Sequence, residues 1–189
     1  MTRTSWLLLV ALWMPACTRG SDEPPTPEGA LPADVFGAWD GVWSGRFRVL
    51  LDGEVQTELQ VVQKYTSDDF DTQIGLFDER DLATGEKVRK HALNTRRDGA
   101  LRCRVTEPDG TETVHQGRWT GEGLEWFRKT EDLEEHFFEV VTDDPDGQTY
   151  YVIEGWGRYG GGPKLRFEGR YRKVGSEKEA RHLIDSADE

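Results

Sequence analysis

The sequence predicts an all-β fold: an antiparallel up-and-down β-barrel of about ten strands with a short C-terminal helix. Three observations carry that prediction. Turn signals recur along the chain, with Asp-Gly at 52/53, 98/99, 109/110 and 146/147, and further glycine turns at Gly85, Gly121 and Gly160 to Gly162. Asp-Gly suits a tight hairpin because a type I′ turn needs positive φ at both central residues. Between the turns, apolar and polar residues alternate, as in Phe47, Val49 and Leu51 against Arg46 and Arg48, and period two marks a strand with one buried face. Finally, short turns make neighbouring strands antiparallel, and a twisted sheet this wide curls until closure removes its edges. A two-sheet sandwich would need longer Greek-key crossings than the chain offers.

Taken in order, strands are expected near 43–51, 54–64, 69–77, 87–94, 100–106, 112–119, 124–129, 135–142, 149–157 and 164–173. The third is read from Phe70, Thr72, Ile74 and Leu76, and the fifth from Leu101, Cys103 and Val105. After the last strand, Ser176 and Glu179 stand at capping-box spacing, and Ala180, Leu183, Ile184 and Ala187 form one helical stripe expected to close an end of the barrel. The barrel domain is placed at 36–175 and the helix at 176–189. Its inward face is expected to include Phe47, Val49, Ile74, Leu76, Trp126, Tyr151, Ile153, Phe167 and Tyr171, with Leu101, Val105 and Leu165 beside them. These side chains would line a cavity for a small apolar ligand or fill the barrel altogether.

The formal charge is −12 over 189 residues. Nucleic acid is bound by clustered Lys and Arg, which this chain lacks, and a broad face on anionic lipid is disfavoured for the same reason. Aromatic residues supply the core, with 5 Trp, 5 Tyr and 8 Phe beyond Cys17, since each ring buries roughly 150–250 Å².

The amino terminus reads as an export address. Trp6 to Met14 is an apolar run following Arg3, long enough for a signal h-region and too short to span a bilayer. "MPAC" at Met14 to Cys17 then resembles the lipobox of bacterial lipoproteins, with Ala16 before the cysteine. That resemblance implies a signal peptide over 1–16, acyl chains on Cys17 and attachment to the membrane. Thr18 rather than Asp after the cysteine implies the outer membrane, facing the periplasm. Residues 17–35, rich in proline and acidic side chains, read as a flexible tether. Lipidation of Cys17 would leave Cys103 as a lone buried thiol.

At the head of the first strand stand Gly37-Ala38-Trp39 and Gly41-Val42-Trp43, each a Gly-x-Trp. This resembles the opening of lipocalin-like (calycin) barrels, whose last strand supplies an arginine over the tryptophan ring. The resemblance implies Arg170 or Arg172 over Trp43 or Trp39, and a small apolar ligand in the lumen. "GVWSG" at 41–45 is also similar to nitrobindin-like barrels, which hold haem through a histidine; His115 or His136 would then serve, although neither carries a ligand motif. No zinc spacing occurs among the 4 His and 2 Cys, and the loop at Thr142 to Ile153 lacks the final glutamate of a calcium loop. No Gly-x-Ser-x-Gly elbow or nucleophilic triad is legible either, so no catalytic residue, metal or cofactor is assigned. The reading is a lipid-anchored envelope protein that binds a small apolar ligand. Its alternative is a filled barrel acting on an unidentified protein partner, with Trp156 to Pro163 as the contact loop.

Overall fold

A computed structural model describes residues 31–176, 178–180 and 182. The signal peptide, Cys17, most of the tether, and Leu183, Ile184 and Ala187 lie outside the described residues. The strands are β1 Gly41–Leu51, β2 Glu54–Asp69, β3 Thr72–Asp81, β4 Lys87–Arg97, β5 Ala100–Thr106, β6 Glu112–Trp119, β7 Leu124–Lys129, β8 Leu133–Asp143, β9 Thr149–Tyr159 and β10 Leu165–Val174. Each pairs antiparallel with its sequence neighbours, and β10 closes on β1.

The hairpin chemistry follows the turn residues. Asp52 and Gly53, and likewise Asp98 and Gly99, both have positive φ, as a type I′ turn requires; at 109/110 and 146/147 only the glycine does. Two turns, at 70–71 and 130–132, carry no glycine, and the first displaces a strand boundary. β2 runs on to Asp69 and β3 begins only at Thr72, so Phe70 sits in the turn and is 66% exposed. There Asp69 accepts from the Asp71 backbone N–H at 2.8 Å, an Asx turn that replaces a glycine signal.

One end of the barrel is plugged. Leu31, Val35, Phe36 and Trp39 pack into the main core with Trp43, so Leu31 and Val35, inside the segment read as tether, belong to the packed domain. A 3-10 turn, Gly37–Trp39, leads into β1, and the Trp43 indole donates to the Trp39 carbonyl at 2.6 Å. Gln73 anchors the plug from below by donating to the Phe36 carbonyl and to Asp40, both at 2.9 Å. The opposite end, where β1 finishes and β2 begins, has no such insert among the described residues.

The C-terminal helix departs from the expected position. Ala180 is fully buried against Val62, Val174 and Val42, which alternate with inward Trp43 and Val61 and therefore face outward. The helix thus covers the outside of the wall at the β2–β1–β10 seam, because three outward valines there offer it an apolar strip. Elsewhere the outer face carries mid-strand charges such as Arg46, Glu58, Asp78, Arg104, Glu125 and Glu168. A band of that kind faces water rather than acyl chains.

Candidate functional site: the barrel lumen

Strand register decides which residues reach the interior. Trp43, Gly45, Phe47 and Val49 of β1 face inward, opposite Lys173, Tyr171, Gly169 and Phe167 of β10. The same parity carries round the wall and places Leu101, Val105, Trp126, Tyr151, Ile153, Leu165, Phe167 and Tyr171 inside. Ile74 and Leu76 are corrections. They stand on the outer face, Ile74 47% exposed, because the inward positions of β3 belong to Gln73, Gly75 and Phe77. Gln73 is buried by its bonds to the plug, and Gly75 makes room for the Tyr65 ring, so neither looks inward by hydrophobicity.

The cation over Trp43 is a second correction. Lys173 supplies it, with Nζ 5.2 Å from the ring centroid. Arg170 and Arg172 share the outward parity of β10; Arg170 lies over Tyr150 at 3.9 Å and bonds Asp144 at 2.6 Å. With Arg46 and Arg48, these arginines border a shallow external groove of about 700 Å³. Arg46 and Arg48 are compensated there by Glu58, at 3.2 and 2.8 Å. Trp39 carries no cation, and its indole N–H has no partner among the described residues.

Rings fill the plugged half. Trp43 meets Tyr151 edge-on at 5.8 Å, Tyr151 meets Tyr171 at 5.4 Å, and Tyr65 packs on both Phe77 and Tyr151. Inward glycines create the space: a Cβ at Gly117 would lie 2.3 Å from the Trp126 ring, and one at Gly169 would lie 2.6 Å from the Tyr171 hydroxyl. Toward the open end, Phe47, Phe167 and Phe137 stack in series at 6.0 and 5.2 Å.

Between these layers some inward side chains are only partly buried. Cys103 and Glu139 face inward and are only partly buried. Phe47, Phe77, Phe137 and Val141, also inward, are likewise only partly buried and pack against the core rings. Burial raises the Glu139 carboxyl to about 7, while the Trp126 indole and the Tyr151 hydroxyl, turned toward it, favour its charged form. Sequence inspection does not single out this residue. "HFFEVV" carries apolar residues on both faces, so a glutamate there reads as an outward marker until Trp126 fixes the parity through its pairing with Phe137.

The open end holds two charged clusters. On one side Lys90 bridges Glu79 at 3.0 Å and Glu107 at 3.5 Å. On the other, Glu135 accepts from Arg128 at 2.9 Å and from the Tyr159 hydroxyl, and shares a bond with His115 Nε2 at 3.1 Å. Burial alone would raise the Glu135 pKa, but the bonds from His115 and Tyr159 and the Arg128 charge outweigh it, and the net shift is downward. Its stabilisation is therefore present above the ordinary carboxylate range and is lost as acidification protonates it. Glu135→Ala is expected to cost about 2 kcal/mol by leaving Arg128 and Tyr159 without their acceptor, measurable by urea unfolding at neutral pH.

Cys103, His115 and Glu135 are successive inward neighbours, a set that in other settings serves nucleophilic catalysis. Here burial, with the Glu139 charge, pushes the thiol far up, the reverse of an activated cysteine. His136, the other histidine considered for haem, lies outside the wall, stacked on Trp156 at 4.5 Å and on Phe127 at 6.2 Å. Trp156 and Tyr159 belong to β9, not to a loop, and divide between the two faces: Lys164 covers outward Trp156 at 4.0 Å, whereas inward Tyr159 bonds Glu135. The stretch 156–163 is therefore not one contact surface.

No protein-family model and no curated protein matches the chain. Among solved structures, it is similar to a de novo designed fluorescence-activating β-barrel, with 17% identity and a TM-score of 0.38 over 75% of this chain and 98% of the design.

Proposed function

We propose that the protein binds a small apolar ligand inside a lipocalin-like barrel, entering by the end opposite the N-terminal plug. One observation carries this reading: inward groups midway along the barrel, Cys103 and Glu139, keep accessible surface beneath a stack of phenylalanine rings. A concave, mostly apolar space with a few polar groups is what small-ligand recognition uses. N-phenyl-1-naphthylamine, a neutral dye that fluoresces in apolar surroundings, is expected to brighten on mixing with the protein. Val105→Trp, which adds bulk to the inner face, should abolish the gain. Val114→Trp, at a position 45% exposed on the outside, should preserve it. Equal signals from both variants would place the dye on the wall and reject a lumen site.

The same proposal holds the barrel in a bacterial envelope through acyl chains on Cys17, at the outer membrane and facing the periplasm. Support comes from Ala16-Cys17 after the apolar run and from the proline-rich stretch before Leu31, which gives reach. Metabolic labelling with a radioactive fatty acid should mark the protein, and Cys17→Ser should remove the label; a labelled variant would refute attachment at this residue. A second reading, a barrel that acts through its wall on a protein partner, is favoured by the ring packing of the plugged half. It would stand if the dye finds no lumen.

A further inference from the structure

The inner-face glutamates are not equivalent. Glu79 pairs with Lys90 and Glu135 with Arg128, whereas Glu139, deeper than either, has no cation beside it among the described residues. Its neighbours are aromatic: Trp126 from β7 and Tyr151 from β9 turn polar atoms toward it, and Tyr65 and Tyr171 lie within reach of its charge. Tyr65 and Tyr151 bring their hydroxyls to 3.4 Å of each other at this level. An isolated carboxylate in such a place is unfavourable unless something positive joins it. Aromatic faces with one carboxylate are the chemistry that recognises an organic ammonium, through ion pairing and cation–π attraction together. The chain's net charge of −12 draws cations toward it from a distance.

Resting on the lumen reading above, we propose that the barrel selects small organic cations, protonated amines with an aromatic or aliphatic body, and seats the ammonium on Glu139. The body of the ligand lies along Phe47, Phe137 and Phe167, and the head meets the carboxylate below them. An anion would face the Glu139 charge without relief.

Ionisation of Glu139 should set the pH dependence. The titratable groups within reach of its charge are Tyr65 of β2, Cys103 of β5, Tyr151 of β9 and Tyr171 of β10, and His115 of β6 is the strand partner of Cys103. The three tyrosines and the thiol are all pushed upward by burial and stay neutral across the working range, and His115 shares its bond with Glu135. Arg128, on β7, is held at the rim by Glu135.

The test is calorimetric titration of the full chain with phenethylamine, with 2-phenylethanol as an uncharged match in size and phenylacetate as the anion. The amine is expected to bind at least about tenfold more tightly than the alcohol at pH 8, with phenylacetate weakest. The advantage should fall about tenfold per pH unit below pH 7 as Glu139 protonates. Glu139→Gln, its fold verified by circular dichroism, should remove both the preference and its pH dependence, whereas Glu58→Gln on the outer wall should keep them. Equal binding of amine and alcohol, a preference that survives Glu139→Gln, or affinity that rises on acidification would each overturn the proposal. In those cases N-phenyl-1-naphthylamine binding blocked by Val105→Trp would still uphold the lumen. If neither that dye nor any of the three probes binds, the lumen reading fails and this inference with it.

Discussion

Gly45→Ala should lower the melting temperature by roughly 10 °C, the equivalent of about 3 kcal/mol in a domain of this size. Gly45 lies on the inner face of β1 opposite Tyr171 of β10, where the closing seam of the barrel is made. A Cβ there would stand 1.9 Å from the Arg170 carbonyl oxygen and 2.7 Å from the Tyr171 Cα. Both obstacles are backbone, so no rotamer change relieves them; the strands must part or the seam must lose ladder hydrogen bonds. Gly155 repeats the device on β9, with its Cβ position 2.3 Å from the His136 carbonyl oxygen. Close approach at such points lets a twisted sheet coil tightly enough to close, which is why barrels place glycine at their corners. Thermal unfolding followed by circular dichroism decides the matter. A variant melting within about 2 °C of the parent would mean that the seam tolerates a side chain, and that closure does not rest on this glycine.

The architecture was legible because turns and alternation are local. Ten strands and their hairpin order follow from Asp-Gly signals and period two, and closure follows from the absence of long crossings. Structure departs from the sequence expectation where the local signal is absent or where parity along a strand overrides residue type. The turn at Phe70-Asp71 rests on an Asx bond rather than on glycine, so alternation alone starts β3 too early and assigns its outward Ile74 and Leu76 to the lining. Arg170 and Arg172 conflict with the sequence reading itself: once Phe167 and Tyr171 are inward, period two sends both arginines out and leaves Lys173 as the cation that shares a face with Trp43. The plug and the outer seat of the helix depend on contacts between segments far apart in the chain, which periodicity does not encode. Glu139 was hidden for a further reason, since a charge inside a barrel runs against the expectation that charged residues are exposed.

That hidden charge carries the second large expectation, which needs no ligand. Glu139 is held at about 7 in the folded chain against 4.5 as the ordinary value, so the folded state keeps its proton over a range in which the unfolded chain has released it. The sign follows directly. Below pH 4.5 both states are protonated and the group adds no penalty; between 4.5 and about 7 the unfolded state binds fewer protons, and stability falls as pH rises. Above that range the full penalty applies, about 3 kcal/mol for a shift of this size. Glu139→Gln keeps the shape and the capacity to bond Tyr151 and Trp126 but cannot ionise. It should match the parent near pH 4 and exceed it by about 3 kcal/mol at pH 8, with the difference opening between those limits. Urea unfolding of both proteins across that range tests it. A constant difference would assign the effect to packing rather than to charge, and a parent more stable than the variant at pH 8 would mean that the carboxylate is already compensated in the fold. If the gain appears, the native chain carries a buried acid that weakens it at neutral pH. Such a residue belongs with sites where local stability is given up for recognition, because a bound cation would compensate the carboxylate.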